Sequence, residues 1–86
     1  MPSKKNKGKW CVYILECSDG KLYTGITSNL DNRIKQHNSG NGCKFTRCRI
    51  PIQLLYKKAV SSRIEALKQE FAIKRLPRKK KLELIG

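Results

Sequence analysis

The amino-acid sequence predicts a small α+β domain, and three observations support that fold class. Its 86 residues allow one domain with one modest core. Residues 10–17 form an apolar run that ends at a turn signal, as expected of a strand entering a hairpin. Two capping patterns, each a serine followed three residues later by an acid, predict the starts of helices. Strands and helices should therefore share one core.

The first two strands are predicted from the apolar run and its turn. Residues 10–17 are apolar on both faces, which favours a central strand covered on both sides. The segment 18–20, Ser-Asp-Gly, is a turn signal, and 21–26 is the returning strand. A two-residue loop would place Tyr13 and Tyr23 on opposite faces. A three-residue loop with a left-handed Gly20 would place both on one face, and a shared tyrosine site requires that loop.

The remaining elements follow from caps, glycines and prolines. A capping box at Ser28 predicts a helix over 29–38, ended by the loop sequence 39–42. Residues 52–60 are expected to form a third strand. Ser62 and Glu65 form a second capping box, and the helix it opens should run to about residue 76, before Pro77. Residues 78–85 predict a short basic turn or helix.

The charge of the chain points to a polyanionic partner. Twenty basic residues against six acidic ones give a formal net charge of +14. Nucleic acid is the expected partner, and a membrane is not, because no apolar run approaches about 18 residues.

Residues 1–9 are predicted to be a basic flexible arm, with the domain over 10–86. The cysteine spacings do not match a zinc site, and a reduced, cytoplasmic protein is expected.

Four side chains form a candidate catalytic group: Tyr13, Tyr23, Arg33 and His37. Arg33 and His37 are one helical turn apart, beside an apolar stripe made by Leu30 and Ile34, so both should border the sheet. Taken singly, Arg33 is typical of an exposed surface arginine, and His37 of a cation at a helix C-terminus. Together with two tyrosines on the adjacent hairpin they favour phosphodiester hydrolysis.

Glu70 is the candidate metal ligand. A helical wheel places Ile64, Leu67 and Phe71 on one side and two further apolar residues beyond them, with Glu70 and Lys74 between the groups. A carboxylate inside an apolar arc is costly unless it is paired or binds a metal. An ion pair with Lys74 at i, i+4 is the alternative to a single-carboxylate Mg²⁺ (or Mn²⁺) site.

These residues, together with the pattern around them, resemble the GIY-YIG nuclease family, near its small single-domain bacterial members. The strongest match is the sequence 17–20 followed by 22–27, then Arg33, His37 and Gly40. The resemblance covers about 10–85 and implies a three-stranded antiparallel sheet flanked by helices, the GIY-YIG endonuclease fold. By position, the family's two motif tyrosines fall on Tyr13 and Tyr23, and its motif glycine on Gly25.

The resemblance implies metal-dependent cleavage of DNA, with repair or recombination as its setting. Tyr23 would be the general base or would orient water, and Arg33 would bind the scissile phosphate. Tyr13 and His37 would position water or relay the proton, and Glu70 would hold the metal. Gly25 would let backbone approach the site.

The sequence departs from the family pattern in three respects. Cys11 replaces the leading glycine of the first motif, the spacing between the motifs is one residue shorter than in many relatives, and no asparagine follows Asn41.

Further basic residues are candidates for contacts with backbone phosphates, or alternatively for simple solvation of loops: Lys44, Arg47, Arg49, Lys74, Arg78, Lys79, Lys80 and Lys81. Three functions follow from these observations. They are a metal-dependent nuclease, a catalytically silent module binding DNA or RNA, and a domain that docks on an acidic protein.

Overall fold

A computed structural model describes residues 10–40 and 49–85. Three antiparallel strands, β1 (Trp10–Glu16), β2 (Leu22–Thr27) and β3 (Gln53–Val60), form one sheet in the order β2-β1-β3. Three helices accompany it: α1 (Leu30–Asn38), α2 (Arg63–Lys74) and α3 (Arg78–Ile85). The predicted fold class is confirmed, and the segment 78–85 is a helix rather than a turn.

The hairpin loop has the length that a shared tyrosine site requires. The amide of Cys17 donates to the carbonyl of Lys21 at 2.8 Å, which leaves Ser18, Asp19 and Gly20 as the loop. Gly20 has φ +86°, the left-handed conformation expected at the last position of such a loop.

The register that follows pairs Leu15 with Tyr23 and Tyr13 with Gly25. Because side chains alternate along a strand, Tyr13 and Tyr23 lie on one face, and this prediction is confirmed.

The central strand is covered on both faces, as its apolar run predicted. Tyr13, Leu15 and Cys17 form one buried cluster, and Leu30 and Ile34 of α1 pack against it. Val12 and Ile14 form a second cluster on the opposite face with Ile73 of α2 and Ile85 of α3. Helix α1 therefore covers one face of the sheet, and α2 and α3 cover the other.

Helix ends follow the predicted chemistry with one correction. The N-cap of α1 is Asn29, whose Oδ1 accepts from the amide of Asn32 at 3.2 Å, and the capping box predicted at Ser28 is wrong. Asn29 stands immediately before the first helical turn, where its side chain reaches the third helical amide. Ser62 does cap α2, accepting from the amide of Glu65 at 3.2 Å.

The apolar arc predicted for α2 is half wrong. Ala66 and Ile73 are buried against the sheet, but Ile64, Leu67 and Phe71 point to solvent. The two groups lie on opposite sides of the helix, so only one of them can contact a flat sheet.

No helix in the described parts of the chain is long and apolar enough to cross a membrane.

Candidate active site

Three rings meet above β2 on the face covered by α1. Tyr13 lies on β1, Tyr23 on β2 and His37 on the last turn of α1. The ring centroids are 6.4 Å apart for the two tyrosines, 6.1 Å for Tyr13 and His37, and 5.4 Å for Tyr23 and His37. The sequence thus predicted correctly that the hairpin tyrosines and the helical histidine come together.

A buried hydrogen bond joins two of these residues. The hydroxyl oxygen of Tyr13 and Nε2 of His37 are 3.2 Å apart, and both side chains are almost completely buried. Burial, and secondarily the positive charge of Arg33, lower the pKa of His37 below its ordinary value. The imidazole is therefore neutral at pH 7, and in the tautomer whose Nε2 is unprotonated it accepts a hydrogen bond from the Tyr13 hydroxyl.

Gly25 is required by the packing of the rings. It pairs with Tyr13 across the sheet and is buried. A β-carbon built there would lie 2.6 Å from the Tyr13 hydroxyl oxygen and 3.0 Å from Cε2 of Tyr23. Gly25 was predicted to permit close approach of the backbone, and the structure adds that both tyrosine rings occupy the space above it.

Arg33 lies one helical turn before His37 on α1 and is partly exposed. Its Nη1 donates to Oε1 of Gln36 at 2.9 Å, a bond that holds the guanidinium along α1. Tyr23 is also partly exposed, in contrast to Tyr13. The site thus has a buried half, Tyr13 and His37, and a half that reaches the surface, Tyr23 and Arg33.

Glu70 lies on α2, the helix that packs on the opposite face of the sheet. Its Oε2 forms an ion pair with Nζ of Lys74 at 3.2 Å, and its side chain is 20% exposed. The ion pair is the alternative that helical spacing had left open. Within the ranges 10–40 and 49–85, no group of three histidine, cysteine or acidic side chains is placed to hold a metal.

The predicted phosphate-binding residues divide into three sets. Lys44 and Arg47 lie outside the described residues. Arg49 donates from Nε to Oδ2 of Asp19 at 3.0 Å, linking the hairpin loop to the segment before β3. The remaining set is on the two C-terminal helices, and all of its members except the half-buried Lys81 are exposed: Lys74, Arg78, Lys79, Lys80 and Lys81.

Lys57 lies on the face of the sheet that α1 covers, and no sequence pattern had indicated that position. It pairs with Tyr13 across β1 and β3, and it lines a cleft of about 340 Å³ on the face that α1 covers. Cys11 and the start of α1 form other walls of this cleft. Strand alternation gives Lys57 the face of Tyr13, but that assignment needs the register of β3, which no local pattern predicts.

Comparison with known proteins identifies relatives along nearly the whole chain. The family model described as the GIY-YIG catalytic domain matches residues 9–83. A UPF0213 protein of Staphylococcus saprophyticus is 47% identical over 78 residues, which cover 91% of this chain and 95% of that protein. A UPF0213 protein of Oceanobacillus iheyensis is 50% identical over 74 residues, covering 86% of each chain.

Two solution NMR structures resemble the fold. The UPF0213 protein from Bacillus halodurans has 48% identity and a TM-score of 0.59, covering 90% of this chain and 82% of that one. A protein from E. faecalis has 39% identity and a TM-score of 0.62, with coverages of 92% and 85%.

Proposed function

Because the chain belongs to the GIY-YIG family of nuclease domains, we propose that it is a divalent-metal-dependent endonuclease that hydrolyses phosphodiester bonds in DNA. The observation that carries this proposal is the cluster of Tyr13, Tyr23 and His37, whose rings converge around the Tyr13–His37 hydrogen bond. A phenol beside a neutral imidazole is suited to moving a proton, which hydrolysis of a phosphodiester requires.

In this proposal Tyr23 faces the attacking water, because it is the tyrosine that reaches the surface. A phenol usually has a pKa near 10 and is almost entirely protonated at neutral pH. Nearby positive charge must therefore favour the phenolate, which is the form that can act as a base. Arg33 supplies such a charge from the same side of the sheet, and its guanidinium offers paired donors to phosphate oxygens. Arg33 thereby stabilises the negative charge that develops on the pentavalent transition state.

Tyr13 and His37 act behind the surface. Because both are buried, they do not reach bulk solvent, and their hydrogen bond fixes the position of each ring. The lowered pKa of His37 keeps its imidazole available as a proton acceptor at neutral pH. We assign this pair to holding Tyr23 in place and to accepting a proton from the surface half of the site.

Glu70 is the residue that would hold Mg²⁺ or Mn²⁺. A carboxylate is a hard oxygen ligand of the kind that Mg²⁺ binds, and this ion keeps several waters and often takes further ligands from substrate phosphates. Glu70 is a single such ligand, however, and α2 lies across the sheet from Tyr13, Tyr23 and His37. The Glu70 carboxylate lies beside Lys74, so binding of a metal would compete with this ion pair.

DNA binding is proposed to rest on phosphate contacts rather than on base reading. The exposed cations of α3, with Lys74 and Lys57, provide charge on both sides of the domain.

A catalytically silent module that binds DNA or RNA is the second candidate function. The Glu70–Lys74 ion pair favours it, because that pair satisfies the carboxylate without a metal.

The deciding experiment incubates the purified protein with plasmid, single-stranded, branched and RNA substrates, with and without Mg²⁺. Cleavage that requires Mg²⁺ and is lost in Tyr23→Phe and Glu70→Gln supports the nuclease. Glu83→Gln is the matched control, because Glu83 forms an exposed ion pair with Lys80 on α3. Cleavage that survives both site substitutions contradicts the proposal. Tight binding of nucleic acid with no cleavage of any substrate establishes the silent module instead.

A further inference from the structure

The outward face of α2 carries an apolar stripe that no other element within residues 10–40 and 49–85 covers. Ile64, Leu67 and Phe71 are 67%, 38% and 63% exposed. Their spacing of three and then four residues places them in one line along the helix. The opposite side of the helix already supplies the core contact through Ala66 and Ile73. The stripe therefore contributes little to the fold of this chain.

Cations border the stripe on both sides. On the helical wheel Lys68 and Arg75 flank it on one side and Lys74 on the other, and all three are exposed. Lys74 is paired with Glu70, so Lys68 and Arg75 supply most of the positive charge of the rim. The guanidinium of Arg75 lies 5.4 Å from the centroid of the Phe71 ring, in cation–π contact. The acids of α2, Glu65 and Glu70, are only partly exposed and lie toward the sheet, so the outward face is apolar at its centre and positive at its rim.

We propose that this α2 stripe is a docking surface for a partner protein that presents an apolar groove rimmed by carboxylates. Anchors at i, i+3 and i+7 are the arrangement by which an amphipathic helix occupies such a groove. The positive rim would meet the carboxylates and guide the encounter, while the three apolar side chains would supply the buried centre of the interface.

Charge argues against the other occupants. A second copy of the chain carries the same formal charge of +14 and would bring two positive rims together. Residues 1–9 contain four lysines and no acid, so this segment does not complement the rim either. Nucleic acid would match the rim, but its interfaces are polar and highly charged, and aliphatic side chains such as Ile64 and Leu67 have little use there.

The stripe lies away from the ring cluster of the candidate site, and Glu70, which is also on α2, is only partly exposed and lies toward the sheet. Helix α2 packs on the Val12–Ile14 face of the sheet, whereas Tyr13, Tyr23 and His37 lie on the face covered by α1. A partner on the outward side of α2 would leave Tyr23 and Arg33 accessible. The inference holds whether or not the chain cleaves DNA.

The test uses a fluorescein-labelled synthetic helical hairpin as the probe, with leucines lining the groove between its helices and glutamates along both rims. The full-length protein, purified free of nucleic acid, is titrated into the probe and binding is followed by fluorescence anisotropy. Phe71→Ser should raise Kd about tenfold or more, as expected for a central anchor. Lys68→Glu should raise Kd and reduce its salt dependence.

Leu84→Ser on α3 is the matched control, because Leu84 is an exposed leucine outside the stripe, and it should leave Kd unchanged. Denaturation curves accompany each variant. If Phe71→Ser fails to fold, Ile64→Ser and Lys68→Glu decide the question. A probe carrying lysines in place of its glutamates should not bind.

Three results would overturn the proposal. The first is no binding of the acidic probe, or binding that is indifferent to Phe71→Ser, Ile64→Ser and Lys68→Glu. The second is a dimer in sedimentation equilibrium that Phe71→Ser dissociates, which would make a second copy the occupant. The third is weaker DNA binding by Phe71→Ser without any probe binding, which would assign the face to nucleic acid.

Discussion

Replacing Gly25 with alanine should displace both tyrosine rings of the site with a single methyl group. The new β-carbon would lie 2.6 Å from the hydroxyl oxygen of Tyr13, 2.7 Å from its Cζ and 3.0 Å from Cε2 of Tyr23. Unstrained carbon contacts are about 3.5–4.0 Å. The Tyr13 ring is buried and bonded to His37, so it cannot swing into solvent.

The cost has two parts. Overpacking of a buried site costs about 1–3 kcal/mol, and loss of the Tyr13–His37 hydrogen bond adds about 1 kcal/mol. The sum, about 2–4 kcal/mol, corresponds to a fall in Tm of roughly 10–25 °C for a domain of this size. Cleavage activity should fall at temperatures where the variant is still folded, because the rings no longer share their native geometry.

The assay is urea denaturation of Gly25→Ala beside Gly20→Ala. Gly20 has φ +86°, and no atom lies within 4 Å of the position that a β-carbon would take there. Alanine at this position would therefore meet no steric clash, and only its left-handed backbone conformation should lower the unfolding free energy, by about 1–2 kcal/mol. Tyr13→Phe should destabilise the Gly25→Ala protein less than it destabilises the native one, because it removes the nearest clashing atom. An unchanged unfolding free energy for Gly25→Ala, or strict additivity with Tyr13→Phe, would refute the packing argument.

Four further predictions follow from the same structure. Because the pKa of His37 is lowered in the fold, the unfolded chain binds its proton more tightly. Stability should be constant above about pH 6.5 and decline as the pH falls below it, and His37→Gln should remove that decline in denaturation curves from pH 7 to 5. Ile73→Ala should cost about 2–4 kcal/mol of unfolding free energy, since Ile73 is 4% exposed, whereas Ile64→Ala should cost little. Lys57→Ala should weaken DNA binding and lower the salt slope of log K by about one, measured by anisotropy at several salt concentrations. Removal of divalent metal with EDTA should abolish cleavage but leave the Tm unchanged, because Lys74 already pairs with Glu70.

Much of the candidate site could be predicted from local rules. The three-residue loop with Gly20 fixes the register between β1 and β2, and that register alone places Tyr13 and Tyr23 on one face. Helical spacing then brings Arg33 and His37 to the border of the sheet. These inferences succeed because each depends on contacts between neighbours in sequence.

Local rules failed where the outcome depends on tertiary packing. Two apolar groups on α2 could each have faced the core, and only contact with the sheet selects Ala66 and Ile73 over Ile64 and Phe71. The register of β3, which places Lys57 opposite Tyr13, depends on pairing across a long connection. The cap at Asn29 rather than Ser28 is a one-residue shift among two competent capping residues.

The burial of Tyr13 and His37 ties two of the four site residues to the stability of the domain. A chain that lost its chemistry would still need both rings to fill the space above Gly25 and to satisfy each other's polar atoms. Selection for folding alone would then retain Tyr13 and His37, while Tyr23 and Arg33, which reach the surface, would be free to drift. Among related sequences, the surface pair is therefore the informative marker of an active enzyme, and the buried pair marks only the fold.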